Sequence, residues 1–162
     1  MTTPLDTDGE NVDSLPFLNY PRAGRNLLGQ SKRDNCRHGY GLEFMKLTGQ
    51  IACAYCGQNL VARFGDWLTM ALDHVIPDAV CRKWGLPPEW SQDFTNRVLC
   101  CSACNTFGNR YAARRYMTPT SLEEFYRVRD AIFVERRAAI LRRRDEEHAF
   151  FAEHPWESRR EN

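Results

Sequence analysis

"NRVLCCSACNTFGNR", residues 96–110, holds three cysteines within five positions, and an asparagine directly follows the last of them. A second C-x-x-C unit, formed by Cys53 and Cys56 in "ACAYCGQ", lies earlier in the chain. Pairing it with Cys101 and Cys104 gives the pattern C-x2-C-x44-C-x2-C. Two such turns can place four thiolates about 2.3 Å from one tetrahedral ion. The spacing therefore predicts a closed structural zinc site that stabilises the fold and does no chemistry.

The doubled cysteine leaves a choice of ligand. Cys100 with Cys104 would give C-x3-C, whereas Cys101 with Cys104 repeats the spacing of the first pair. We therefore assign Cys101 to the zinc and predict that Cys100 is a core thiol at the end of the strand "NRVLC". His38 is a weaker alternative ligand. Two cysteines without a partner at ligand spacing are predicted to be buried or free: Cys36 and Cys81.

Composition and the start of the chain predict a soluble, cytoplasmic protein. The hydrophobic fraction of 43% is ordinary for a globular chain, and no apolar run reaches the roughly 18 residues of a membrane helix. "MTTPLDTDGENVDSLP" has neither the basic start nor the apolar centre of a secretory signal. In a reducing compartment, seven cysteines indicate metal binding rather than disulfides.

The net charge of +1 hides a polarised chain. Residues 97–144 hold eleven arginines against four carboxylates, so 11 − 4 = +7 in this part. Residues 1–20 hold four acidic residues and no basic one, and we predict that they form a disordered tail. An arginine-rich half suits a phosphate backbone, although a solvated, charged helix face would give the same pattern.

Periodicity and turn residues predict the elements. "WLTMALDHVIP" is apolar and partly β-branched, which indicates a strand that ends in a turn at Pro77, and "NRVLC" indicates a second strand. "SACNTFGNRYAARRY" is predicted to be a turn into a helix that stops before Pro119. From Thr120 onward we expect one long helix, capped by Thr120 or Ser121. Its apolar stripe is incomplete and consists of Leu122, Phe125, Val128, Ile132 and Ala139.

Four polar residues complete a pattern around the cysteines. Asp73 and His74 lie between the pairs, Asn96 stands five places before Cys101, and Asn105 directly follows the second pair. The order and spacing of these eight positions resemble the HNH endonucleases with a four-cysteine zinc site, the ββα-metal nucleases. The resemblance covers residues 53–115, less than half of the chain, and implies that a β-hairpin and a helix carry an active site.

These residue types suit phosphodiester hydrolysis. The reaction needs a nucleophile made from water, a counter-charge on the phosphate and help for the departing sugar oxygen. His74 can take a proton near neutral pH, and Asp73 and Asn105 offer hard oxygen donors for one Mg²⁺ or Mn²⁺. The resemblance implies the same roles, a bracing role for Asn96, and products with a 3′-hydroxyl and a 5′-phosphate. Because neighbouring strand residues face opposite sides, we expect Asp73 or His74 at an irregular strand end.

Basic residues near the second cysteine pair are candidate DNA contacts. Family members often have a basic residue and a glycine soon after the asparagine, and here Gly108 is present but the basic residue is displaced. We predict that three arginines share one helix face and hold phosphates without reading sequence: Arg110, Arg114 and Arg115. A merely charged helix face is the alternative. Lys83, in the predicted loop over residues 78–95, is a further candidate contact, and we expect Trp90 in that loop to pack on the protein.

Together these features predict an α+β fold, a small ββα-metal (His-Me finger) core stapled by zinc with an added long C-terminal helix. The nuclease domain is expected over residues 21–118, with its core at 53–115, and the helical extension over residues 119–162, which could also form a homodimer. The predicted function is HNH-type endonuclease hydrolysis of DNA with His74 as general base. A non-catalytic zinc module that binds DNA or protein is the first alternative, and a thiol oxidoreductase is the second.

Overall fold

Helices and one small antiparallel sheet make up the part of the chain that the computed structural model describes, residues 15–21, 36–109 and 111–154. The helices and strands are α1 (Tyr40–Thr48), α2 (Phe64–Leu68), β1 (Met70–His74), α3 (Asp78–Lys83), α4 (Pro88–Ser91), β2 (Arg97–Cys101), α5 (Ser102–Gly108) and α6 (Leu122–Glu153). Short 3₁₀ turns cover Pro16–Asn19, Cys36–His38 and Phe94–Asn96. The predicted α+β class is confirmed at this level.

β1 and β2 pair antiparallel in an unbroken register that runs from Met70 opposite Cys101 to His74 opposite Arg97. Both predicted strands are therefore present, although Trp67 and Leu68, which begin the run predicted as the first strand, belong to α2. β2 is buried along most of its length, and its last residue is also the N-cap of α5, where Cys101 Sγ accepts from the backbone N–H of Cys104 at 3.5 Å. The second C-x-x-C unit thus sits where the hairpin turns into a helix.

The helix after β2 is shorter than predicted. α5 ends at Gly108, and the described residues 111–118 are irregular, so Arg114 and Arg115 do not share a helix face and that prediction was wrong for them. A physical reason is that the Gly108 carbonyl accepts from Arg136 Nη2 at 3.3 Å, so a side chain of α6 bonds the backbone where α5 ends. Arg110 lies outside the described residues.

The long segment between the strands is also more regular than predicted. Residues 78–95 were expected to form a loop, but they contain α3, α4 and a 3₁₀ turn. Pro77 and Pro87 are the N-caps of the two helices, and Asp78 pairs with Arg82 one turn later at 2.5 Å. Fixed proline dihedrals and an i,i+4 ion pair stabilise such short helices.

α6 begins as predicted, in a capping box. Ser121 Oγ accepts from the Glu124 N–H at 3.2 Å, and the Glu124 carboxylate accepts from the Thr120 N–H at 2.7 Å. The predicted stripe was partly wrong, because two arginines occupy core positions and Ala139 is exposed. The buried residues of α6 are Phe125, Arg129, Ile132, Phe133, Arg136 and Ile140. None of the helices in the described ranges has both the length and the apolar character that crossing a bilayer requires.

The segment at residues 15–20 packs on the core, which corrects part of the predicted disordered tail. The Phe17 ring lies edge-on to Phe133 of α6, with centroids 5.5 Å apart, and Tyr20 packs against the same core. Aromatic burial of this kind offsets the entropy of ordering a short segment. Residues 1–14 of the predicted tail lie outside the described residues.

Candidate functional site

The four cysteines of the two C-x-x-C units come together in one cluster. Their Sγ atoms all lie within 4.8 Å of one another, and the Cys56 and Cys101 sulfurs are 4.0 Å apart. A tetrahedral zinc ion with bonds of about 2.3 Å would hold its sulfurs about 3.8 Å apart, so the donor set fits zinc. The first unit closes as a tight knuckle, with Gly57 at φ 75° and its N–H donating to the Cys53 carbonyl at 2.8 Å. The four cysteines can hold a metal such as zinc.

The other cysteines lie outside this cluster, as predicted. Cys100 Sγ donates to the Ala71 carbonyl at 3.6 Å, and burial raises the pKa of this thiol well above its ordinary value. Burial also raises the pKa of Cys81 to about 12 and that of Cys36 to about 11, so these two remain thiols near neutral pH. His38 packs edge-on to Trp67 and is not part of the cluster, so the alternative ligand is not brought to the metal site.

An arginine of α6 contacts the thiol cluster. Arg144 Nη1 lies 3.9 Å from Cys101 Sγ and 3.8 Å from Cys104 Sγ, the sulfurs of the second knuckle. If the cluster holds Zn²⁺, a guanidinium at this distance would offset the net negative charge of four thiolates around the ion. No local sequence pattern indicates this contact, because Arg144 lies forty positions after Cys104.

Asp73 forms a buried ion pair. Asp73 is only 9% exposed. Its Oδ2 accepts from the Tyr55 hydroxyl at 2.6 Å and from Arg136 Nη2 at 2.7 Å. Burial, followed by the Asp73 charge, raises the pKa of Tyr55 well above its ordinary value, so the phenol stays a donor. Arg136 therefore balances the charge of this carboxylate, and Tyr55 hydrogen-bonds it.

Arg136 holds several elements together from the middle of α6. Its Nη1 donates to the carbonyls of His74 at 2.6 Å and Val75 at 2.8 Å, where the chain leaves β1. Its Nη2 also reaches the Gly108 carbonyl at the end of α5. A Cβ at Gly108 would lie 2.6 Å from that same Nη2 atom, so the guanidinium fills the space that a side chain would need. The glycine at this position is therefore explained by Arg136.

His74 faces a different set of partners from Asp73. Its Nε2 lies 3.3 Å from Gln92 Oε1, and the residue is half-buried. Burial, followed by the charge of Arg97, lowers the pKa of the imidazole below its ordinary value, so His74 is neutral at pH 7. The expected irregular strand end is absent at both positions, because the ladder continues regularly to the pair of His74 and Arg97. The strand alternation therefore sends the two side chains to separate partners.

Asn96 is fully buried and ties together the segment that follows His74. Its Nδ2 donates to the carbonyls of Ile76 at 3.1 Å and Ser91 at 2.9 Å, and its Oδ1 accepts from the Ile76 N–H at 3.0 Å. Its backbone carbonyl also accepts from the Val75 N–H at 2.8 Å. These bonds hold the chain on both sides of the candidate base.

Asn105 lies half-buried in α5, directly after the second cysteine pair. Within the described ranges its side chain forms no hydrogen bond, and none joins it to Asp73 or His74. The structure thus brings the four predicted zinc ligands together, but it does not bring Asp73, His74 and Asn105 into one hydrogen-bonded set.

The candidate DNA contacts divide into exposed and engaged side chains. Lys83 and Arg114 are exposed, and neither forms an ion pair with any residue that the structure describes. Arg115 pairs with Glu135 of α6, which also accepts from the Tyr111 hydroxyl at 2.8 Å. Arg115 therefore has a structural partner that the sequence pattern did not indicate. Trp90 packs against Phe125 with ring centroids 5.9 Å apart, in line with the packing expected for it.

Comparison with known proteins adds no family to this description. No protein-family model matches the chain, and neither the curated proteins nor the solved structures contain a match to it. Function is therefore argued from the residues and contacts above.

Proposed function

We propose that the chain is an HNH-type endonuclease that hydrolyses phosphodiester bonds in DNA with His74 as general base. One observation carries the proposal: a half-buried imidazole ends the first strand of a hairpin whose opposite end holds the four-cysteine cluster. Asn96 braces the segment directly after that imidazole. A zinc knuckle alone has no physical need for this arrangement.

In the proposed reaction His74 takes a proton from water, and the resulting oxygen nucleophile attacks phosphorus. The bond between phosphorus and the sugar O3′ then breaks, O3′ takes a proton from solvent water, His74 returns its proton to solvent, and the products carry a 3′-hydroxyl and a 5′-phosphate. The lowered pKa of His74 keeps the ring in the unprotonated form that this step requires. Arg97, directly across the ladder from His74, places a cation beside the base. Lys83 and Arg114 are the proposed phosphate contacts away from the reaction.

The Mg²⁺ or Mn²⁺ ion that the resemblance implies does not fit Asp73 as its side chain stands. Both a phenol and a guanidinium already bond Oδ2, and the carboxylate is buried. Mg²⁺ needs accessible oxygen donors and retains several waters. No step of the reaction above is therefore assigned to a divalent ion.

The same ion pair favours a second candidate function, a non-catalytic zinc module that binds DNA or a protein. In that case Asp73 and Arg136 serve only to join the hairpin to α6, and His74 is a packed side chain. A thiol oxidoreductase is not proposed, because the four thiols of the two pairs converge in one cluster.

Nicking of supercoiled plasmid by the zinc-loaded protein separates the two candidates. Wild type, His74→Ala and His148→Ala would be assayed with Mg²⁺, with Mn²⁺ and with EDTA, with zinc content measured in each sample. His148 is an exposed histidine of α6 and serves as the matched control. We expect wild type and H148A to cut and H74A to lose cutting by about 100-fold or more, as for removal of a general base.

Equal cutting by wild type and H74A would remove His74 from the reaction. A wild-type protein that binds DNA without cutting under all three conditions would support the zinc module. Cutting that survives EDTA with zinc retained would agree with the absence of a metal step, whereas strict dependence on Mg²⁺ would mean that Asp73 is released from Arg136 in the active form.

A further inference from the structure

Gln92, which follows α4, is the side chain that contacts the candidate base. Its Oε1 lies 3.3 Å from His74 Nε2 and accepts from Arg97 Nη2 at 3.2 Å. Its Nε2 donates to Asp78 Oδ1 at 2.6 Å. One amide therefore joins β1, β2 and α3 at the point where the candidate base lies.

The partners of Gln92 fix which way its amide points. A guanidinium has only donors and an ionised carboxylate has only acceptors. Turning the amide over would place its NH₂ group against Arg97 and its oxygen against Asp78, which would lose both bonds. The oxygen must therefore face His74. Because this oxygen can only accept, the hydrogen bond requires a proton on His74 Nε2, and the lone pair of the neutral ring is then on Nδ1.

We propose that Gln92 is a positioning residue that holds His74 in the Nε2–H tautomer, leaving Nδ1 as the nitrogen that takes the proton from water. The catalytic part of this statement rests on the proposed nuclease function. The tautomer itself depends only on the hydrogen bonds of Gln92.

The surroundings of Gln92 keep the amide in place. Asp78 is itself paired with Arg82 at 2.5 Å, and the Gln92 backbone N–H donates to the Pro88 carbonyl at 2.8 Å at the end of α4. The carbonyl of the preceding residue, Ser91, accepts from Asn96. Outer partners of this kind set the orientation of an imidazole, and their loss typically costs about 10- to 100-fold in the activity that depends on it.

The test compares two substitutions of Gln92 and one rescue. Gln92→Met keeps the length of the side chain and removes both hydrogen-bonding groups. The double variant Gln92→Glu with Asp78→Asn exchanges donor and acceptor between the two positions, so an oxygen still faces His74. Gln58→Met removes an amide that bonds Asp66 at 2.9 Å away from His74 and is the matched control.

The first readout is the ¹⁵N spectrum of the His74 ring in the zinc-loaded protein, which distinguishes the two neutral tautomers directly. We expect the Nε2–H form in wild type, in the Q92E/D78N double variant and in Q58M, and a mixture in Q92M. The second readout is kcat for plasmid nicking, which we expect to fall about 10- to 100-fold in Q92M and to recover in the double variant.

A wild-type spectrum of the Nδ1–H form, or a Q92M spectrum identical to that of wild type, would overturn the assignment. A change of tautomer in Q92M with unchanged kcat would overturn the catalytic part of it. If wild type cuts no DNA, the nuclease proposal fails, and the spectrum alone then decides whether Gln92 sets the tautomer.

Discussion

Arg136→Met removes the cation that faces Asp73 inside the protein. Arg136 is only 2% exposed, and methionine can occupy much of the same space. The Asp73 carboxylate then keeps the Tyr55 hydroxyl as its side-chain donor among the described residues. The carbonyls of His74, Val75 and Gly108 also lose a hydrogen bond. The substitution therefore creates an uncompensated buried charge beside the candidate base.

The magnitude follows from that charge. Removing one partner of a buried ion pair costs about 3–5 kcal/mol in total, a figure that already includes the hydrogen bonds lost with that partner. We expect the free energy of unfolding of R136M to fall by about 4 kcal/mol, a large part of the roughly 5–15 kcal/mol typical of a small domain. Asp73→Asn combined with R136M removes both charges and retains an acceptor for Tyr55, so the double variant should lose only about 2 kcal/mol.

The assay is equilibrium urea unfolding of zinc-saturated wild type, R136M, D73N and the double variant. Arg142→Met, an exposed arginine of the same helix, is the control and should change stability by less than about 0.5 kcal/mol. The double-mutant cycle should give a coupling energy of about 2 kcal/mol or more. R136M as stable as R142M, or single-variant losses that simply add in the double variant, would refute the ion pair as a stabilising contact.

Three further predictions concern the rest of the site. The Arg144→Ala variant should release zinc to a chelator about 10- to 100-fold faster than Arg143→Ala, because only the change at Arg144 removes a cation from the thiolates. Equal release rates would contradict a role of Arg144 in holding the metal. By NMR, the His74 ring should titrate below its ordinary pKa of about 6.5. Because the unfolded chain then takes up the proton first, the free energy of unfolding should fall as the pH drops below about 6.5, and the loss should be complete below the folded-state pKa. A ring that titrates above about 6.5 would show that burial does not dominate its pKa. Asn96→Ala should destabilise the protein by about 3 kcal/mol in thermal unfolding, since it orphans buried groups of Ile76 and Ser91, and a loss under 1 kcal/mol would mean that water replaces the amide.

Local signals allowed part of this fold to be predicted from the sequence. The spacing of the thiols, two short apolar runs and the capping residues Thr120 and Ser121 are local features, and they predicted the cysteine cluster, β1, β2 and the start of α6. The end of α5 depends on a contact with α6. The short helices of residues 78–95 are only marginally stable by themselves and follow prolines. Such features were missed because local sequence determines them only weakly.

The buried arginines were missed for a different reason. A charged residue normally indicates an exposed position, so Arg129 and Arg136 were counted with the solvated, phosphate-binding charge of the chain. Their positions nevertheless continue the spacing of Phe125, Ile132 and Ile140 along one face of α6. The signal that could have identified the two arginines is their position on the apolar face of the predicted helix. The chain also holds an acid, Asp73, that could pair with one of them inside the protein. Strand alternation then explains why the side chains of the two strand neighbours, Asp73 and His74, do not share a partner.

The inward arginines of α6 make this helix part of the site. Arg129, Arg136 and Arg144 lie seven and eight residues apart, about two helical turns in each case, and so project from one face. Arg129 Nη1 donates to the Thr95 carbonyl at 2.8 Å, Arg136 bonds Asp73, and Arg144 contacts the thiols of the second C-x-x-C unit. One rigid helix thus fixes the segment before β2, the end of β1 and the thiol cluster relative to one another.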